Sequence, residues 1–208
     1  MKYISIDIET TGLDPEYCQV IEVGAIIDDL SKNEDMYRLP MFQTYIMHDK
    51  IVGEPYALSM HSAIFKRMSK AKDMVLMTPS YDPIDKCVWM DNDGYSYVYK
   101  DNFWIYFLHW LQQNDMINDR INVAGKNFGS FDKQFLNKLP NWGSIGSRLR
   151  HRFLDPGMLY LQNGDVCIPD TKTCMERAGI PGDVEHTALG DAEVVIKLIR
   201  HKLGDMFR

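Results

Sequence analysis

Hydrophobic and polar positions alternate from the first residues onward. In "YISIDI" every second residue is apolar, so Ile4, Ile6 and Ile8 share one face of an extended strand and Ser5, Asp7 and Glu9 share the other. The pattern predicts strands over about 2–8, over 19–29 in "QVIEVGAIIDDL" and over 41–47 in "MFQTYIM". Strands this close in sequence predict an antiparallel meander. "PYALSMHSAIFKRMSK", 55–70, reads as helical or turn-rich, and "KCVWM" and "YSYVYK" flank the turn signal "DNDG". That signal predicts a β-hairpin near 86–100, inserted at the edge of the main sheet. "DNFWIYFLHWLQQND" then predicts a helix capped by Asp101 or Asn102, with Trp104, Phe107, Leu108 and Leu111 as its buried stripe. "INVAG", 121–125, reads as a short buried strand. Ser130 is placed to cap a helix whose apolar face is Phe131, Phe135, Leu136 and Leu139. A short strand over 152–155, a helix near 171–178 and a long final helix from about 187 complete the chain. Ala192, Val195, Ile196, Ile199 and Leu203 form the stripe of that last helix. Strands first, then strands mixed with helices, predict an α/β fold with a mixed central sheet flanked by helices.

At 208 residues the chain fits one domain over 1–208, with 72–100 as an insertion within it. Hydrophobic residues make up 45% and charged residues 25%, the balance of an ordinary soluble protein. No apolar run is long enough for a membrane span, and "MKYISIDIE" carries no signal-peptide core, so the expected location is the cytoplasm with no membrane partner. Cys18, Cys87, Cys167 and Cys174 form no C-x-x-C pair, which predicts plain thiols. The net charge of −6 argues against coating long nucleic acid by phosphate neutralisation, but not against gripping one strand end through metal ions.

The polar face of the first strand raises a physical question. Asp7 and Glu9 stand only ~7 Å apart by backbone rise, and like charges so close repel, the more so when desolvated. Partners for them exist downstream. "NFGSFD", 127–132, puts Asp132 in a first helical turn, and "HTALGD", 186–191, puts His186 before the last helix and Asp191 in its first turn. Each acid alone is explained by the helix macrodipole. Together, four carboxylates and a histidine can converge on one site. Oxygen ligands suit Mg²⁺ or Mn²⁺, and two such ions suit in-line phosphodiester hydrolysis.

In this order and spacing, "DIETTGL", "NFGSFD" and "HTALGD" resemble the three motifs of the DnaQ-like 3′→5′ exonucleases, and the H-x-x-x-x-D form of the third resembles their DEDDh subclass. "GLDPEYCQVIEVGAII", "NFGSFDKQFLNKLP" and "RFLDPGMLY" look closest to oligoribonucleases. The resemblance implies an RNase H-like fold and release of 5′-mononucleotides from single-stranded DNA or RNA 3′ ends or from short oligonucleotides. It implies two Mg²⁺ or Mn²⁺ ions held by Asp7, Glu9, Asp132 and Asp191, with His186 as general base. It also implies that Thr10, Thr11, Gly12 and Leu13 meet the terminal nucleotide, Leu13 against its base, where a plain turn is the alternative. Met60 and His61 read either as core or as contacts to the terminal base, and Asn127 either as a turn residue or as a nucleotide contact. A homodimer is implied only through the likeness to oligoribonucleases. "RLRHR", 148–152, is either a solvated face or an electrostatic guide for a nucleic-acid backbone. His48, His109, His151 and His201 show no partner pattern. Two narrower or different readings stand beside the exonuclease: an oligoribonuclease for very short RNA, and a catalytically silent nucleic-acid-binding module.

Overall fold

The computed structural model describes residues 1–32, 34–74, 88–182 and 186–207. Its frame is a mixed sheet of seven strands among the described residues. Strands β1 (Lys2–Thr10), β2 (Val20–Asp29) and β3 (Met41–Met47) form the antiparallel meander, and β6 (Ile121–Ala124) and β7 (Leu149–Leu154) extend it beyond β1 as parallel strands. On the opposite side, β5 (Ser96–Tyr99) runs parallel to β3, and β4 (Val88–Met90) closes the edge antiparallel to β5. The β4–β5 pair is the expected hairpin, and its first residues, 86 and 87, lie outside the described residues.

The alternation in β1 separates two cores. Ile4, Ile6 and Ile8 pair across the ladder with Ile27, Ala25 and Val23, and all six are buried on one face. Helix α3 (Phe103–Gln113) covers that face; its Phe107 meets Phe42 edge-on at 5.0 Å, and its Phe103 stacks on Trp142 at 5.8 Å. The other face, with Tyr3, Ile26 and Ala124, is covered by α8 (Ala188–Leu203), whose Ala192, Val195, Ile196 and Ile199 are buried as the stripe predicts.

Polar contacts fix the α8 docking along its length. Near its start the Ser5 hydroxyl donates to the Ala192 carbonyl at 2.9 Å. Near its end Arg200 donates from Nη2 and Nε to both oxygens of Asp28, at 2.6 and 3.0 Å, and the Tyr3 hydroxyl donates to the same carboxylate at 2.7 Å. A bidentate pair on a buried carboxylate sets orientation as well as energy.

Three local expectations about the helices differ in the structure. Helix α3 buries Phe103, Phe107, Trp110 and Leu111, so its buried face is turned from the predicted one, and Trp104 and Leu108 are only partly covered. Apolar residues surround this helix on most sides, and the aromatic cluster with Phe42 and Trp142 selects which ones go in. Its cap residue, Asn102, makes no side-chain cap bond. Ser130 does not cap α4 (Asp132–Leu136), because its hydroxyl turns back to the Asn127 carbonyl at 3.1 Å. The 55–70 stretch divides at His61 into α1 (Pro55–Met60) and α2 (Ser62–Met74). The remaining short helices are α5 (Gly143–Gly146), α6 (Pro156–Leu159) and α7 (Thr171–Ala178). Among the described residues no helix is long and apolar enough to cross a membrane. Cys18, Cys167 and Cys174 are free thiols, and Cys87 lies outside the described residues.

Candidate active site

The acids meet at the C-terminal end of β1. Asp7, Glu9 and Asp191 each bring a carboxylate oxygen within 4.8 Å of the other two. Asp7 and Glu9 arrive there by strand alternation, on the α8 face of β1. Asp191 arrives because Gly24 stands opposite Asp7 in the ladder. A Cβ at Gly24 would lie 2.2 Å from the Ala188 carbonyl carbon and 2.3 Å from the Leu189 nitrogen. The missing side chain is what lets the first turn of α8 rest on the sheet beside Asp7. Thr187 caps that turn, its hydroxyl accepting from the Gly190 N–H at 3.2 Å.

Asp132 opens α4, just past the end of β6, and is 2% exposed. Its carboxylate accepts from the Ile8 backbone N–H and from its own, which ties α4 to β1. Asp155 follows β7 and helps hold the loop, accepting from the Asn127 and Gly157 backbone amides at 3.0 and 2.8 Å.

The electrostatics are those of acids brought together out of water. Burial, and then the Asp132 and Asp191 carboxylates, push Asp7 well above the usual carboxylate range. Burial, and then Glu22, Asp191 and Asp132, raise Glu9 to about 8. Burial raises Asp132 to about 7 against the lowering effect of its amide donors. The charges that act most strongly on Asp7 and Glu9 are all carboxylates. The imidazole nearest Glu9 does not offset them. His61 Nε2 lies 3.4 Å from Glu9 Oε2, but burial and the neighbouring His186 hold His61 below its ordinary range, so it faces Glu9 neutral near pH 7.

One acid of this site carries no motif in the sequence. Glu22, 1% exposed, is the ladder partner of Glu9. It accepts from Gln43 Nε2 at 2.5 Å and from the Ala188 backbone N–H at 3.4 Å, so it also supports the start of α8. Burial raises its carboxyl, and the Gln43 and Ala188 donors, with Arg67 after them, offset part of the effect. The available signal was the short β1–β2 connection, which brings the one acid inside "VIEVGAII" opposite "DIE".

The other predicted residues separate into rim and scaffold. Glu22, Tyr45, Met60, His61, Arg67 and His186 line a cavity of about 590 Å³ beside the acids. His186 is exposed there, with φ at 50°, a left-handed conformation uncommon for a residue other than glycine. The approach expected to carry it, "PGDVEH", includes residues 183–185, outside the described residues. Met60 is 46% exposed and therefore not core. Leu13 is 74% exposed at the tip of the β1–β2 turn. The turn is bonded to itself and to the segment after β3: the Thr10 hydroxyl donates to the Gly12 carbonyl at 2.7 Å, and the Thr11 hydroxyl donates to the Val52 carbonyl at 2.7 Å. The Gly12 position is crowded, with Cys18 Sγ 2.6 Å and Glu54 Cδ 2.7 Å from where a Cβ would stand. Thr10 and Thr11 thus spend their hydroxyls on the scaffold. Asn127, at φ 59°, serves the turn before α4, and its Oδ1 accepts from Lys126 Nζ at 3.3 Å. His48 is buried, with Nε2 2.7 Å from the Val20 carbonyl oxygen, which makes it part of the scaffold too.

No family model and no curated protein matches the chain. Solved structures do. The nuclease domain of 3′hExo, described as a DEDDh family member bound to rAMP, is similar over 98% of this chain and 92% of that one, with a TM-score of 0.56 at 15% identity. A full-length 3′-exonuclease is similar over 99% of this chain and 82% of that one, with a TM-score of 0.56 at 14% identity. E. coli exonuclease I in complex with a dA16 oligonucleotide is similar over 99% of this chain, with a TM-score of 0.57 at 14% identity. This chain spans only 42% of the length of that enzyme. A zinc-bound form of the E. coli exonuclease I–ssDNA complex has a TM-score of 0.58. At these identities the likeness is one of fold: the chain shares the α/β architecture of these exonucleases, a mixed sheet flanked by helices.

Proposed function

We propose that this protein is a metal-dependent 3′→5′ exonuclease that hydrolyses phosphodiester bonds at the 3′ end of single-stranded DNA or RNA and releases 5′-mononucleotides. The observation that carries the reading is the convergence of Asp7, Glu9 and Asp191, with Asp132 near enough for its charge to act on Asp7 and Glu9, so that the strongest charges on those two are further carboxylates. Such a cluster is unfavourable as a bare anion and favourable as a cation cage. The donor set fits: it is all oxygen, as Mg²⁺ and Mn²⁺ require.

Asp7, Glu9 and Asp191 would hold one ion, and Asp7 with Asp132 a second. When bound, such ions supply an activated water and stabilisation of the leaving oxygen. The protein's own part is positional and protonic. Gly24 and Glu22 set the start of α8, and with it Asp191. His186, on the cavity wall beside the acids, would accept the proton of the attacking water at an imidazole nitrogen. The exposed Leu13 and Met60 would offer apolar surface to the terminal base, and His61, next to Met60 in sequence, lies 3.4 Å from Glu9.

The deciding experiment is a panel of 3′-labelled DNA and RNA, from dinucleotides to duplexes, with Mg²⁺ or Mn²⁺. Stepwise loss of 3′ label as mononucleotides is expected, together with resistance of a circular single strand. Binding without hydrolysis under every condition would sink the reading in favour of a silent binding module. Activity confined to the shortest RNAs would narrow it to an oligoribonuclease.

A further inference from the structure

Away from the acids, "RLRHR" at 148–152 concentrates positive charge in a chain of net charge −6. The sheet register explains how it is displayed. Ile121 pairs with Leu149 and Val123 with Phe153, so Asn122 alone stands opposite Arg150, His151 and Arg152. A bulge of this kind pushes residues out of the ladder and re-aims their side chains. All three are exposed, on a strand that forms the sheet edge.

These three residues line a cleft of about 370 Å³ with Arg120 and Asn122. Arg120, from the loop before β6, is held by Nη1 donating to the Ser147 carbonyl at 2.8 Å. Asn122 Nδ2 donates to the Lys2 carbonyl at 3.0 Å. Among the described residues no carboxylate forms an ion pair with Arg120, Arg150 or Arg152. The adjoining depression on the Lys2 side carries Asp115 and Asp119, so the positive strip is bounded there. In the other direction β7 leads to Asp155, whose charge acts on Asp132. Protection of a sheet edge accounts for a charged, bulged strand. It does not account for Arg120, which converges on the same cleft from another segment.

We propose that this cleft binds the phosphodiester backbone of the substrate strand upstream of its 3′ end, an inference that rests on the nuclease reading for the identity of the strand. Arginine forks suit phosphate oxygens. Leu149–Phe153 advances only as far as Ile121–Val123, ~7 Å, and Phe153 to Asp155 adds ~7 Å, so the bulge lies up to ~14 Å from Asp155, which at ~3.4 Å per stacked nucleotide is about four nucleotides. Strands shorter than that reach the acids without reaching β7.

The test is fluorescence anisotropy in EDTA with labelled oligothymidylates of about three and about twenty nucleotides, across a salt series. It compares wild type with the triple variant Arg120→Ala/Arg150→Ala/Arg152→Ala. The long strand is expected to bind the variant at least ~10-fold more weakly, with a log K against log salt slope shallower by about 2, three contacts at ~0.7 each. The short strand is expected to lose much less. The charge-preserving triple lysine variant is expected to return the long-strand slope to that of wild type, which separates charge from folding. An unchanged slope, an equal loss for both lengths, or a variant that only aggregates more would overturn the proposal. Because the readout is binding without metal, absence of hydrolysis would sink the nuclease reading while leaving this measurement decisive for the cleft.

Discussion

Neutralising one acid should stabilise the metal-free protein while destroying its proposed activity. Glu9 is the informative position, since burial and then Glu22, Asp191 and Asp132 raise it from 4.5 to about 8. In the unfolded chain Glu9 ionises near 4.5; in the folded chain it keeps its proton until about 8. Between those values the folded state binds more protons than the unfolded state, so stability falls as pH rises through the window and levels off above it. At ~1.36 kcal/mol per pKa unit, the interval from 4.5 to about 8 corresponds to ~5 kcal/mol. Asp7 and Asp132 are raised by overlapping neighbours, so the cluster titrates together and one neutralisation relieves only part of this, ~2–3 kcal/mol.

Glu9→Gln removes the charge and keeps the shape. Urea unfolding in EDTA is expected to show the variant within ~1 kcal/mol of wild type near pH 5 and more stable by ~2–3 kcal/mol near pH 8.5. Adding Mn²⁺ at the higher pH should reverse the order, because only the intact cage gains binding energy on the folded side. A variant equally or less stable than wild type near pH 8.5 without metal would refute the reasoning, since it would mean that the Glu9 charge is not a burden on the fold.

Asp7→Asn is expected to abolish metal-dependent hydrolysis on labelled single strands, and wild-type rates would remove Asp7 from the site. His186→Ala should fold and bind Mn²⁺ by calorimetry but lose ~10²–10⁴-fold in kcat, and an unchanged kcat would remove it as the base. Gly24→Ala should force α8 off the sheet, lowering stability by ~1–3 kcal/mol in urea and weakening Mn²⁺ affinity, because a Cβ there would meet the Ala188 backbone at 2.2 Å. Unchanged stability and affinity in that variant would show that α8 can be set by other contacts.

The meander and α8 were legible because apolar residues recur at a simple period in the sequence, although β1 and β2 are buried on both faces. Apolar and polar residues alternate from Ile4 to Glu9, and the α8 stripe repeats at helical spacing. β7 was legible only at its end, since the bulge at Arg150–Arg152 puts three exposed residues in a row and breaks the alternation that marks a strand. The acids on strand ends and helix starts were legible as motifs. Glu22 was not, because an acid inside an apolar strand reads as an outward position until the ladder sets it against Glu9. His61 was named as a candidate base contact, but its closeness to Glu9 was not legible, because it depends on the break between α1 and α2, which local propensity does not announce.

The position of the acids follows from how the sheet is assembled. β1 is the strand at which antiparallel pairing with β2 gives way to parallel pairing with β6. Its C-terminal end is therefore flanked on one side by a hairpin and on the other by a strand that must lead into a helix. The hairpin contributes Glu22 and the open space at Gly24, and the parallel strand delivers Asp132 at the start of α4. α8, crossing the sheet above both, adds Asp191. Its far end is fastened by Arg200 to Asp28, on the same strand as Gly24 and Glu22. Once the carboxylates ionise, their repulsion works against α8 at one end, while the Asp28 pair and the buried Ala192–Ile199 stripe hold it down along the rest. An unfavourable cluster at one helix end is tolerable in a fold that anchors the helix elsewhere. The same arrangement makes the cluster sensitive to any ion that neutralises it.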